Sequence, residues 1–469
     1  MTDTAGTASM RALFAPLAVL ITGAFMVMFD STAMNLIVPL LVREYGGSYP
    51  VVQWVITGYV LAESAIIPLT GWLCDRFGTK RILLLAIGTF TLGSLLCLLA
   101  QGIDQLIASR VIQGLGGGMV VPIMFAYTYR ISPPDRVGKI MAVVVIPILL
   151  APALGPVVSG LIVDHASWSW IFAVNLPIGA TAIALGILKL PELERLPVVR
   201  LDLLGMLLAP IAFAGICYGI SEGAADWGAA RTVTSLSVGL VFLLAFVVSQ
   251  LRRPDPLLEL RVFGSRAFTG NILIAWIAVF VQFGSLFLVP QSLQNARGFS
   301  AFEAGLIMLP YVVFAGISNQ IGGRLYDKWG IKSVALTGFA ILSVGMFLMS
   351  TVTDRTSVWT IGIYMVVIGA SVGFCVVPLN MNLLKLSPQH LTGRVSSLSS
   401  SVQQVVVALA ISLLANLIAS RQGYYVQAGD PAAAAWTPTF RDVFVVLAVL
   451  SLIGFALSAT MRRQEVPRQ

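Results

Sequence analysis

The sequence predicts an all-α polytopic membrane protein, and three observations carry that prediction. Hydrophobic residues make up 57% of the chain and charged residues 11%, against roughly 25% charged in an ordinary soluble domain. The apolar residues come in runs of about 20, the length that crosses a hydrocarbon layer ~30 Å thick. The polar breaks between runs alternate, one set rich in Lys and Arg and the next poor in them. A lipid-exposed segment must satisfy its own backbone polar groups, so the runs read as helices.

Fourteen spans are expected, at 13–40, 51–73, 81–100, 105–130, 137–163, 168–189, 203–222, 232–251, 266–290, 301–323, 332–352, 357–384, 392–420 and 439–461. The first run follows Arg11 and superficially resembles a signal peptide. It carries Asp30 and continues to Pro39 without a convincing cleavage site, so it is read as span 1. With both termini cytoplasmic, 22 of the 29 Lys and Arg residues fall on the cytoplasmic side and six outside, with Arg110 inside a span. A wrong span count would flip later loops and scramble that bias. The expected location is the cell's inner membrane.

Composition also excludes several functions. The net charge of +8 is spread in ones, twos and threes at helix ends, which is topogenic charge and not a nucleic-acid surface. Cys74, Cys97, Cys217 and Cys375 lie in or beside apolar runs without a CxxC pair, and His165 and His390 are the two histidines. No disulfide, metal, cofactor or catalytic residue is assigned. Gly114, Gly116, Gly117 and Gly118 follow no strand, and no G-x-x-x-x-G-K-[ST] occurs. Gly114 and Gly118 instead form GxxxG, which lets helices approach closely. Without a nucleotide site, transport must draw on an ion gradient or run passively.

An internal repeat organises the chain. Gly71-Trp-Leu-Cys-Asp75-Arg76-Phe-Gly78-Thr-Lys80 returns as Gly323-Arg-Leu-Tyr-Asp327-Lys328-Trp-Gly330-Ile-Lys332, 252 residues later. Ser132-Pro133 with Gly138 returns as Ser387-Pro388 with Gly393. The spacing is nearer eight spans than six, so two six-span halves flank an insert of two. The expected domains are 1–190, a six-helix bundle, 191–262, two inserted helices with their linkers, and 263–469, a second six-helix bundle.

The repeated segment resembles motif A of the major facilitator superfamily, and the whole chain resembles its fourteen-span drug:proton antiporter family (QacA/EmrB type). Asp30-Ser-Thr-Ala-Met-Asn35-Leu-Ile-Val-Pro39 is similar to that group's D-x-T-x-V-N-x-A-L-P. Arg110-Val-Ile-Gln113-Gly114-Leu-Gly116-Gly117 is similar to R-x-x-Q-G-x-G. Leu154-Gly155-Pro156-Val-Val-Ser159-Gly160 is similar to the antiporter motif G-x-x-x-G-P-x-x-G-G, with Ala151 and Ser159 at two glycine positions. The run from Trp168 to Asn175-Leu-Pro177 also resembles this subgroup. The resemblance implies a major facilitator fold and proton-coupled export. It also implies a cytoplasmic gate at Gly71, Asp75, Arg76, Gly78, Lys80, Arg81 and Asp327, with Asp75 near the start of span 13 at Arg394. Gly155, Pro156 and Gly160 belong to the antiporter motif.

Charge inside the spans is the sharper signal, because intramembrane ionisable groups are costly and by default functional. Asp30, Glu63 and Arg110 lie well inside spans of one half. At 1.5 Å per residue Glu63 sits roughly 18 Å from Asp75, so all three occupy middle-to-outer depth where they can pair. The alternative is a static salt-bridge cluster, although buried pairs are poor stabilisers. Asp30 comes from the span 1 motif; Glu63 is read from depth alone. The second half offers neutral groups, among them Gln282, Asn319, Asn380, Asn382 and Gln404. Trp276, Phe280, Phe283 and Phe287 share one helical face. With Asn35, Gln113, Gln282 and Asn380 they are the candidate pocket lining, although bundle core or lipid contact is the commoner use of such a stripe. Such a cavity suits a bulky apolar molecule, a cation included.

The leading expectation is therefore proton-coupled export of hydrophobic or cationic compounds by alternating access, with export of an endogenous metabolite or lipid as the alternative. A membrane enzyme lacks clustered His or Cys and a nucleophile with its base. A receptor lacks an extramembrane module, the stretch from Arg421 to Thr439 being too short to fold alone. The partners are a small-molecule substrate, protons and the lipid bilayer, without nucleic acid; an accessory periplasmic subunit stays open.

Overall fold

The computed structural model describes residues 10–46, 48–133, 137–193, 202–223, 226–253, 256, 258–387 and 392–461. Span 1 runs Met10–Tyr45 and span 2 Trp54–Phe77, entered through a helical turn at Tyr49–Val52. Spans 3 to 6 are Thr79–Leu98, Ile103–Ile131, Val137–His165 and Trp170–Lys189; spans 7 and 8 are Leu203–Gly223 and Ala230–Arg252. Span 9 is Arg266–Asn295, span 10 Ala301–Tyr326 and span 11 Lys328–Ser350. Spans 12 to 14 are Val358–Lys385, Thr392–Gln427 and Trp436–Ala459. Thirteen helices of the described residues are long and apolar enough to cross a membrane; span 5, at 29 residues, is the fourteenth.

Several helices outrun the expected boundaries. Span 1 continues to Tyr45 and span 9 to Asn295, because hydropathy falls at the first polar residue while the backbone ladder does not. Pro39 and Pro290 sit inside these helices; each removes one donor, which neighbouring helices tolerate in a bundle. Ser300 and Glu303 form a reciprocal cap that starts span 10. The repeat is written into the backbone: Gly78 at φ 97° and Gly330 at φ 73° break the chain at equivalent points. A side chain at either would be strained, so glycine is required there.

Spans 1 to 6 pack on one another, as do spans 9 to 14, while spans 7 and 8 pair with each other. Span 7 lies against spans 2 and 13. In its most apolar stretch span 8 is 17% buried, against 72% for the span 2 segment, so the inserted pair sits on the periphery. Asp202 ties it together, accepting from the Gly205 amide at 2.9 Å and from Gln250 Nε2 at 2.6 Å, with Arg253 at 2.7 Å.

Contacts between the halves concentrate toward the side carrying Asp164. A Cβ on Gly160 of span 5 would fall 2.5 Å from the Phe302 Cα of span 10, and one on Gly305 2.5 Å from the Pro156 carbonyl oxygen. The Phe302 amide donates to Asp164 Oδ2 at 3.1 Å, Gln294 Nε2 to the Leu36 carbonyl at 2.9 Å, and Asn295 Nδ2 to the Tyr49 hydroxyl at 2.7 Å. On the Asp75 side a recess of about 300 Å³ lies between spans 2 and 4 and the start of span 13. The molecule is closed at the Asp164 side and open at the Asp75 side.

Candidate functional site

The glycine run of span 4 shapes the site. Gly114 and Gly118 pack against span 2, where added Cβ atoms would lie 2.4 Å from the Tyr59 carbonyl and 2.8 Å from the Glu63 Cα; Gly116 meets the Phe90 amide of span 3 at 2.4 Å. These approaches bring Arg110 and Gln113, one helical turn apart, into the centre of the first bundle.

There Arg110, Asp30 and Gln113 are all fully buried. Arg110 Nη1 donates to Asp30 Oδ2 and to Gln113 Oε1, each at 2.5 Å, and its Nε to the Val55 carbonyl at 3.1 Å. Asp30 Oδ1 accepts from Gln113 Nε2 at 3.0 Å and from Asn175 Nδ2 of span 6 at 2.9 Å. Ser94 of span 3 accepts from both amides, at 2.8 and 3.3 Å. The guanidinium lies 4.1 Å from the Tyr59 ring centre and 5.9 Å from that of Phe172. Arg110 Nη2 is buried without a hydrogen-bond partner among the described residues, while the Tyr59 hydroxyl lies beside the Glu63 carboxylate. Such a network stabilises charge where water is absent.

Glu63, one turn from Tyr59, lies between that hydroxyl and the opposite half. Its Oε2 accepts from Gln404 Nε2 of span 13 at 2.5 Å, across the boundary between the halves. Above and below, Ser412 donates to Gln53 at 3.4 Å and Ser64 to the Ser401 carbonyl at 2.8 Å. The three contacts form a seam in which span 2 ascends as span 13 descends.

The other expected residues are scattered more widely. Asp75 lines the recess with Thr79, Arg130, Ser396 and Ser400. Lys80 donates to the Ile187 carbonyl at 2.9 Å and Arg81 meets Glu192 at 4.0 Å, both toward span 6, while Arg76 is exposed. Gly71 faces open space. The side chains of Asp327 and Arg394 lie outside the described residues.

Three of the candidate pocket-lining residues are drawn into other contacts. Gln113 is not a wall but a member of the Asp30 network, because i,i+3 spacing turns it toward Arg110. Phe287 is fully buried in the core. Trp276 packs on Phe263 at 6.1 Å, beside the inserted pair. Phe280, Phe283, Asn35 and Asn380 are half-buried, and Asn380 accepts from Ser399 at 3.1 Å. Gln282 is buried with its Nε2 unpartnered.

Sequence reasoning passed over Asn175, Ser94 and Tyr59 as site residues. Asn175 stood inside a motif-like run without an assigned role. Tyr59, one turn before Glu63, was findable by helical spacing, whereas nothing in the sequence singles out Ser94.

Two helical bundles closed at one end, with a charged network buried in the first, have the architecture of an integral-membrane transporter. The profile of the Major Facilitator Superfamily matches residues 20–411, and the chain belongs to that family. It is 30% identical over 456 residues to the lincomycin resistance protein LmrB of Bacillus subtilis (strain 168), covering 95% of each chain. It is 32% identical over 407 residues to a multidrug resistance protein B homolog of Mycobacterium tuberculosis (strain ATCC 25618 / H37Rv), covering 85% of this chain and 75% of that one. Among solved structures, a POT family transporter in complex with 5-aminolevulinic acid superposes with a TM-score of 0.70 at 17% identity, over 95% of this chain and 96% of that one. A bacterial homolog of the human lysosomal transporter Spinster, inward-facing and unoccupied, gives 0.68 at 15% identity, over 97% and 98%. At these identities the two structures speak for the fold alone.

Proposed function

We propose that this protein is a proton-coupled exporter of hydrophobic and cationic compounds, seated in the inner membrane with both termini cytoplasmic. The observation that carries the reading is the fully buried Asp30–Arg110 pair, one helix from a carboxylate that reaches the opposite half. The positive-inside bias puts the Asp75 side in the cytoplasm, which makes the described state inward-open. The resistance names of the relatives favour drugs and toxic compounds as cargo. The halves are taken as 1–190 and 263–469, with 191–262 as the insert.

The chemistry follows from charge and water. A carboxylate removed from water favours its protonated form, and a neighbouring guanidinium favours the ionised one. Asp30 therefore exchanges its proton when rocking of the halves loosens the Arg110 contact and admits water. Glu63, at the seam, offers negative charge to a cation; proton and cation compete for it. Loaded from inside with substrate, the carrier turns outward, and a proton replaces the cargo there.

Substrate-dependent proton flux in proteoliposomes tests this, screened over lipophilic cations, neutral drugs and lysolipids. Proton counterflow with cations and apolar drugs is expected. Flux with lysolipids alone, or transport indifferent to the proton gradient, would overturn it.

A further inference from the structure

An antiporter works only if the unloaded carrier is forbidden to turn over. We propose that Gln404 is the positioning residue that imposes this rule, by holding the seam shut while Glu63 is ionised and unoccupied. The inference rests on the exchange reading above and assigns its regulation.

Span 2, with Gln53 at its start, meets span 13 antiparallel, through Gln53 with Ser412, Glu63 with Gln404, and Ser64 with Ser401. Beyond Ser64 the register fails: Ile67, Gly71 and Asp75 on one side and Ser396 and Ser400 on the other line the recess. Glu63 and Gln404 thus stand next to the point where the seam parts. Theirs is the rung whose strength depends on charge, because a hydrogen bond to a carboxylate is roughly twice as strong as one between neutral groups.

A proton on Glu63, or a substrate cation beside it, removes that advantage. Either cargo loosens the rung, lets the Asp164 side of the seam part and lets the recess close. Empty and ionised, Glu63 keeps Gln404 and the carrier stays inward-open. The titratable and charged groups around Glu63 are Tyr59 on its own span, Arg110 of span 4 and Asp30 of span 1; span 13 presents the neutral amide of Gln404. Tyr59 donates to Glu63 from its own span, whereas Gln404 donates from the opposite half, with an N–H where a protonated amine would offer its own.

The test uses the full chain in proteoliposomes carrying an outward-acid pH gradient and no substrate. The parent holds the gradient. Gln404→Leu and the shorter Gln404→Asn dissipate it several-fold faster, while the exchange Glu63→Gln with Gln404→Glu restores donor, acceptor and charge, and returns the leak to the parental rate. In parallel, Ile67→Cys and Ser400→Cys are cross-linked in a background without the native cysteines. Substrate-free Gln404→Leu at pH 8 gives more cross-link than the parent, and tetraphenylphosphonium raises the parent's yield but not the variant's. The cross-link reads the recess without protons, so it stands even if the chain proves not to carry them. Parental leak and parental cross-link response in both single variants, or a leaking exchange variant, would overturn the proposal.

Discussion

Asp30 receives three hydrogen bonds from Arg110, Gln113 and Asn175 and none from water-facing groups. Asp30→Asn keeps the shape and removes the charge, so proton-driven transport should disappear while uncoupled, downhill movement of substrate persists; paired uptake assays with and without a proton gradient check this. Arg110→Lys cannot serve Val55, Gln113 and Asp30 together, because a single ammonium lacks the planar fork. Each lost bond to a charged group is worth about 1.5–3 kcal/mol, so the variant should unfold at distinctly lower temperature than the parent in a thermal-shift measurement. An unchanged melting point would remove Arg110 from the centre of the network. Asp30 and Arg110 were legible as costly charges inside apolar runs. Asn175 and Ser94 were not, since a neutral amide or hydroxyl in a span has many uses and only the fold shows which faces a carboxylate.

Among the elements, span 5 divides its glycines between two neighbours. A Cβ on Gly155 would sit within 2.2 Å of Thr32 Oγ1 of span 1, inside the same half, whereas Gly160 meets span 10 of the other half. Gly160→Leu should therefore prevent closure at the Asp164 side, and overpacking of this kind costs about 1–3 kcal/mol, roughly a 5- to 150-fold bias between states. Labelling of an engineered cysteine at Asp164 reads it: reactivity should rise in Gly160→Leu, while normal closure would reduce span 5 to a scaffold. Gly155→Leu should block exchange by parting spans 1 and 5, with surface expression retained. Existence and order of the spans were readable from run length and charge bias. Their ends were not, because helices continue past the point where hydropathy falls.

For the whole molecule, positive-φ glycines 252 residues apart, Gly78 with Gly330 and Gly46 with Gly298, show why the repeat announced two halves. How the halves face each other was hidden, because contacts such as Gln404 with Glu63 join residues 341 positions apart. Extending the seam register by three turns brings Asp75 level with the start of span 13, where the positive end of a helix dipole attracts a carboxylate. Asp75→Asn should thus favour the inward-open state and slow transport without impairing folding. Thiol labelling at Ser396→Cys is the check, and labelling unchanged by the variant speaks against the latch. The central claim, that one carboxylate network trades protons for substrate, is met most directly by proton release from purified protein on substrate addition. The parent should release protons; Asp30→Asn should release none, and Glu63→Gln should lose the response to cations while keeping most of it for neutral compounds. Release unchanged in both variants would contradict the account and leave Arg110 with a structural role only.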